Sequence, residues 1–173
     1  VLWDKQFGFL KEILVAPVSR MGIMAGKTLG TVTTSMLKGL VFLAALIVCN
    51  LVKLDPWGVF AALIFMFLIS ASFVSLGIAF AARMNDPHGF QLIMSFLIMP
   101  VFFLSGALFP LEGIPTWLLA LTYLNPLTYG VDGLRYALGA PYQFPPLFNF
   151  LVVSAFWVVA TAAGAYLFRN MAA

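Results

Sequence analysis

The sequence predicts an all-α integral membrane protein. It should have about four transmembrane helices, a short amphipathic helix on the cytoplasmic side and a re-entrant helical hairpin on the external side. Three observations carry this reading. The 173 residues are 63% hydrophobic and only 9% charged, whereas a soluble domain carries about 25% charged residues. The apolar residues fall in runs near the roughly 20 residues that a bilayer demands of a spanning helix. The basic residues are also shared unequally between the loops on either side of those runs. The net charge of +3 comes without the clustered basic patch of a nucleic-acid binder, so no nucleic-acid partner is expected. The single cysteine, Cys49, excludes an internal disulfide framework.

Residues 1–28 form the first unit. Phe7, Leu10, Ile13 and Leu14 recur at helical spacing with Lys11 and Glu12 opposite, which predicts an amphipathic helix ended by Pro17. Four basic residues, Lys5, Lys11, Arg20 and Lys27, place it on the cytoplasmic surface, where it could also rest on lipid. The first span is predicted over 30–52. It sets Lys38 about two turns inside the cytoplasmic boundary, where a lysine either snorkels to the interface or serves a path or inter-subunit contact. The second span, 57–82, repeats small residues at Ala71, Ser75 and Ala79, a spacing that lets helices approach closely in lipid. Asp86 and Pro87 punctuate the turn that follows. The third span, 90–108, contains Pro100 and should bend there. The last, 147–168, carries Ala160 and Gly164 as a further close-packing pair.

The segment 109–146 is too broken to be a span. Pro110, Pro115 and Pro126 each remove a backbone donor. Between them lie two short helical patterns: Trp117, Leu118, Leu121 and Leu124, then Tyr129, Leu134 and Leu138 around Asp132 and Arg135. Both are too short to cross, so they read as amphipathic helices dipping into one leaflet, with Trp117, Tyr123, Tyr129 and Tyr136 at headgroup level. Asp132 and Arg135, at i and i+3, are placed to pair, either as local helix support or as part of an outer gate. Lys5, Lys11, Arg20, Lys27, Arg83 and Arg169 fall on one side of the spans, Lys53 and Arg135 on the other. The charge rule therefore puts both ends of the segment in the cytoplasm and the hairpin outside.

The run LSGALFPLEGIPTWLLALTYLNPLTYGVDGLRYAL resembles the segment before the last span of ABC-2-type transporter permeases, the membrane subunits of many bacterial and archaeal exporters. The matching features are Ser105-Gly106, Phe109-Pro110-Leu111-Glu112, Ile114-Pro115-Trp117, Asn125-Pro126-Leu127-Thr128-Tyr129 and Asp132-Leu134-Arg135. The resemblance implies an external gate built from Gly106, Pro110, Glu112, Pro115, Trp117, Asn125, Pro126, Tyr129, Asp132 and Arg135. Likewise FGFLKEILVAPVSRMGIMAGK looks like the cytoplasmic loop that carries the family's coupling helix. That likeness assigns ATPase coupling to Phe7, Gly8, Phe9, Leu10, Glu12, Ile13, Leu14, Pro17 and Arg20. The resemblance covers nearly the whole chain and corresponds to the latter two-thirds of a six-span permease, so the chain reads as an N-terminally incomplete domain. It further implies a pair of ATPase subunits, a second permease copy (identical or similar) and residence in the cell membrane of a bacterium or archaeon.

The chemistry in the sequence agrees with a transport subunit. No phosphate-cradling G-x-x-x-x-G-K-[ST] loop is present, so no cofactor is expected on this chain, and ATP and magnesium belong on the partner ATPase. One histidine, His88, and one cysteine cannot build a metal or nucleophile cluster. No metal is expected, nor an enzymatic activity. The leading function is export of an amphiphilic substrate, drug-like or lipid. Alternatives are export of a polysaccharide or lipid-linked glycan, or a non-transporting membrane assembly fragment. A membrane-embedded transferase using Asp132, Arg135 and His88 requires groups that the charge rule places on opposite sides.

Overall fold

The computed structural model describes residues 20–49, 52, 55–84, 86–109 and 115–169. Six helices run through them: α1 (Arg20–Val48), α2 (Pro56–Arg83), α3 (Pro87–Leu104), α4 (Thr116–Leu124), α5 (Pro126–Ala137) and α6 (Pro146–Arg169). Four stretches are long and apolar enough to span a bilayer: Gly22–Val48, Pro56–Arg83, Pro87–Leu104 and Pro146–Phe168. The described residues are thus all-helical in their regular structure, with four candidate spans. The amphipathic helix expected over Phe7–Leu14, and Pro17 behind it, lie outside the described residues, as do Pro110 and Glu112.

Local chemistry sets most helix starts. The Asp55 carboxylate accepts from Gly58 N at 2.8 Å and Pro56 occupies the first helical position of α2. Asp86 accepts from His88 N and Gly89 N at 3.1 and 2.7 Å, with Pro87 opening α3. Each carboxylate satisfies donors that the first turn leaves orphaned, and proline has no donor to lose there. Asp86 and Pro87 thus start the next helix as much as they stop the last.

Two helix bounds differ from the expected spans. α1 starts at Arg20 rather than 30, so residues 20–28 and the expected first span form one continuous helix. Nothing after Pro17 removes a backbone donor, and glycine costs a helix only about 1 kcal/mol each. Thr31, Thr33 and Thr34 turn their hydroxyls onto the carbonyls of Lys27, Leu29 and Gly30, keeping their polar groups inside the helix. α3 ends at Leu104 rather than 108 because Gly106 takes a left-handed φ of 74°, which helices use to terminate. The helix itself runs on through Pro100.

α2 is the hub, packing most extensively on α6 and then on α5 and α1. Its small residues are what allow this. Ala71, Ser75 and Ala79 are all buried, and Ser75 Oγ lies 3.1 Å from Thr161 Oγ1 of α6. A Cβ at Gly164 would stand 2.9 Å from the Ser75 carbonyl oxygen, so backbone meets backbone at this crossing. One apolar cluster joins Met24, Ile78, Ala82 and Phe168 at the end where α1 begins. A second joins Leu68, Tyr129 and Val153 toward the opposite end, where α4 and α5 sit. α3 stands apart: none of its residues is buried, and it touches α2, α4 and α5 only lightly.

Candidate functional site

The candidate site is the α4–α5 pair and the polar groups that fasten it. Asn125 is the corner between the two helices. Its Oδ1 accepts from Leu127 N at 3.0 Å, capping α5, and Pro126 fills the first helical position. Its Nδ2 donates to the Val101 carbonyl at 2.6 Å, one of the carbonyls that the end of α3 leaves unpaired. Side chains of α5 do the same for α4. Thr128 Oγ1 donates to Thr122 O and the Tyr129 hydroxyl donates to Tyr123 O, both at 2.8 Å. Two short helices that could not persist alone thereby satisfy each other's ends.

α5 seats against α2 through glycine. A Cβ at Gly130 would meet Ile69 Cγ1 at 2.7 Å, and one at Gly133 would collide with the Phe65 ring. Phe65 is buried. The C-terminus of α5 closes with Gly139 at φ 70°. Gly139 N donates to Tyr136 O and Ala140 N to Arg135 O, the Schellman pairing that turns a chain sharply out of a helix. This turn delivers residues 140–145 back across Asp132.

Asp132 is buried, and its carboxylate accepts three hydrogen bonds: Gln143 N at 2.8 Å, Phe144 N at 2.9 Å and Asn149 Nδ2 at 2.8 Å. It therefore ties α5, the 138–145 turn and the first turn of α6 together. Asn149 is fully buried, and its orientation is dictated by that carboxylate, since a flipped amide would set oxygen against oxygen. Its Oδ1 has no partner. Arg135 donates through Nη2 to the Gly106 carbonyl at 2.6 Å. The expected Asp132–Arg135 pair is thus replaced by two separate anchors, and among the described residues no ion pair joins them. Both groups gain more by satisfying backbone atoms that protein or lipid would otherwise leave orphaned. A cavity of about 10 Å³ remains between Ser105, Thr128, Val131, Asp132, Arg135 and Gln143, the volume of about one water.

Tyr129 faces inward. It is buried against Phe144 and Phe148, at ring distances of 5.3 and 5.6 Å. Trp117, by contrast, is exposed on α4, and Tyr123 and Tyr136 are exposed as well. Pro115 begins α4 without a side-chain cap, its carbonyl accepting from Leu118 N and Leu119 N. Arg20 is the first residue of α1. Lys38 is exposed, beside Gly39, whose Cβ position abuts Met66 of α2. At 1.5 Å per residue Lys38 lies about 24 Å from the Gly22 end of the span and about 15 Å from its Val48 end.

Asn149 and the role of Val101 were not read from sequence. An asparagine one turn into an apolar helix is a usable signal, but the Val101 carbonyl is one backbone atom among many. His88 opens α3 and Asp132 lies beside the start of α6, at opposite ends of the bundle, so they form no common centre. Among the described residues no three His, Cys, Asp or Glu side chains gather to hold a metal.

Comparison with known proteins agrees with this architecture. The sequence profile of the family described as ABC-2 type transporter matches residues 1–139. The chain is 32% identical over 142 residues to the ycf38 transport permease of Pyropia yezoensis, covering 79% of this chain and 47% of that protein. It is 29% identical over 152 residues to the inner membrane transport permease YadH of Escherichia coli K12, covering 86% and 57%. It is 25% identical over 131 residues to the same organism's YbhR, named a probable multidrug ABC transporter permease, covering 75% and 35%. The chain spans about half the length of the curated relatives it matches. No solved structure matches it. With the family profile matched over residues 1–139, which hold three of the four candidate spans and the fastened helix pair, this chain belongs to the ABC-2 type transporter family of membrane permeases.

Proposed function

We propose that this chain forms the translocating part of an ABC exporter that moves an amphiphilic compound outward, driven by ATP hydrolysis on a separate pair of ATPase subunits. The observation that carries this is the α4–α5 pair. It is bound to the end of α3 through Asn125 and Arg135 and to the start of α6 through Asp132. Being fastened to two spans, it can move with them as one body and gate the external end of a path. Phe7, Gly8, Phe9, Leu10, Glu12, Ile13, Leu14, Pro17 and Arg20 supply the contact with the ATPase, and ATP and magnesium reside there rather than here. A second permease copy completes the path, with both ends of this segment in the cytoplasm of a bacterial or archaeal cell.

The multidrug name of YbhR supports an amphiphilic cargo over a free sugar polymer. Lys38 belongs to the path or to the seam between copies. An exposed lysine this far along a candidate span needs water or a counter-charge that lipid does not offer. A cysteine replacing Lys38 should react with a membrane-impermeant thiol reagent during turnover; complete inertness would assign the position to lipid. For the function itself, Phe9→Asp or Leu10→Asp in the full-length permease should abolish co-purification of the ATPase while leaving membrane insertion intact. Undiminished co-purification would refute the coupling assignment.

A further inference from the structure

A cavity of about 700 Å³ opens where α2 and α6 begin and α5 ends. Asp55, Trp57, Phe60, Tyr136 and Phe150 line it. The four rings are all exposed, Trp57 by 77% and Phe60 by 57%, so their faces are available to a ligand rather than consumed in the core. Among the described residues Asp55 is the one charged lining residue, and it too is exposed. Its volume falls in the range of small-molecule sites, which combine apolar walls with a few polar groups.

We propose that this cavity binds an organic cation of the quaternary-ammonium class. Aromatic faces carry the negative end of a ring quadrupole and attract a cation that has too little hydration to resist leaving water. A carboxylate at the rim adds the net charge that rings lack. Small residues help: Gly58, Gly139 and Pro146 also border the cavity, so no long side chain fills it. An anion would meet the Asp55 carboxylate and the negative ring faces, and a neutral ligand would gain apolar contact but neither the ion pairing nor the cation–ring attraction. The chemistry is that of a choline headgroup as well as of a free substituted ammonium compound. The inference rests on the export reading only for its role as an external binding step; binding itself needs neither ATPase nor transport.

The test is equilibrium dialysis of radiolabelled benzyltrimethylammonium against the full-length permease in nanodiscs, without the ATPase. Saturable binding is expected, unaffected by neopentylbenzene, the uncharged isostere. Asp55→Asn retains the helix cap, since asparagine caps as well as aspartate, and should weaken binding about fivefold, the scale of a partly exposed ion pair. Tyr136→Leu and Phe150→Leu should each weaken it roughly threefold. Weaker binding in phosphatidylcholine–phosphatidylglycerol discs than in phosphatidylethanolamine–phosphatidylglycerol discs of the same anionic fraction would identify the lipid headgroup as the resident cation. Equal binding in both would identify a soluble one. No saturable binding, or competition by neopentylbenzene, or indifference to all three substitutions, overturns the proposal. Because no ATPase is present, its failure leaves the export reading standing, and failed ATPase recruitment leaves this site standing.

Discussion

Asp132 receives donors from three places in the chain, so its loss reaches further than one side chain. Asp132→Ala strands two backbone N–H groups and the Asn149 amide in a buried setting. Each stranded group costs about 1–3 kcal/mol, which sums to destabilisation on the order of 3 kcal/mol or more. Thermal unfolding of the purified permease should show this, and Asp132→Asn, which keeps an acceptor, should lose less. An unchanged midpoint in the alanine variant would mean the three bonds contribute nothing net. Spacing identified Asp132 and Arg135 as the charged pair of the hairpin. It assigned them to each other because they sit one turn apart, while their actual partners lie in segments distant in sequence.

At the scale of elements, α3 is the least integrated helix. Its last carbonyls are held by Asn125 and Arg135 rather than by packing. A charged donor on a carbonyl contributes about 1.5–3 kcal/mol and a neutral one about 0.5–1.5 kcal/mol, so Arg135 should hold that end more strongly than Asn125 does. Arg135→Ala is expected to accelerate amide hydrogen exchange across 101–107 while leaving α2 and α6 protected. Exchange that rises uniformly, or not at all, would show that Arg135 is not a local tether. The helix pair itself was legible from its prolines, since Pro115 and Pro126 mark both starts. The seating of α5 was not, because Gly130 and Gly133 reveal their purpose only beside Ile69 and Phe65.

For the whole molecule, the proposed orientation rests on charge. Lys27 and Arg83 lie toward the end where α1 begins and α2 finishes, and Arg135 toward the other. A cysteine at Gly113, which lies outside the described residues, should therefore be labelled by an impermeant reagent added to intact cells. Labelling only after permeabilisation would invert the topology. The exposed faces of α1 and α3, with Phe42, Val48, Leu92 and Phe96 open, are those of a chain whose neighbours are lipid and further helices.

What the sequence determined by itself was the fold class, the number of long apolar helices and the family. These depend on run length, periodicity and proline placement, which are properties of a chain read one window at a time. The tertiary structure decided which polar groups meet. Asp132 turned to backbone donors and Asn149, Arg135 to Gly106, Tyr129 inward, and Asp55 came beside the rings of three helices. The reason is that a buried polar group takes whichever partner packing brings within about 3 Å. In a bundle organised around α2, that partner comes from wherever the chain returns.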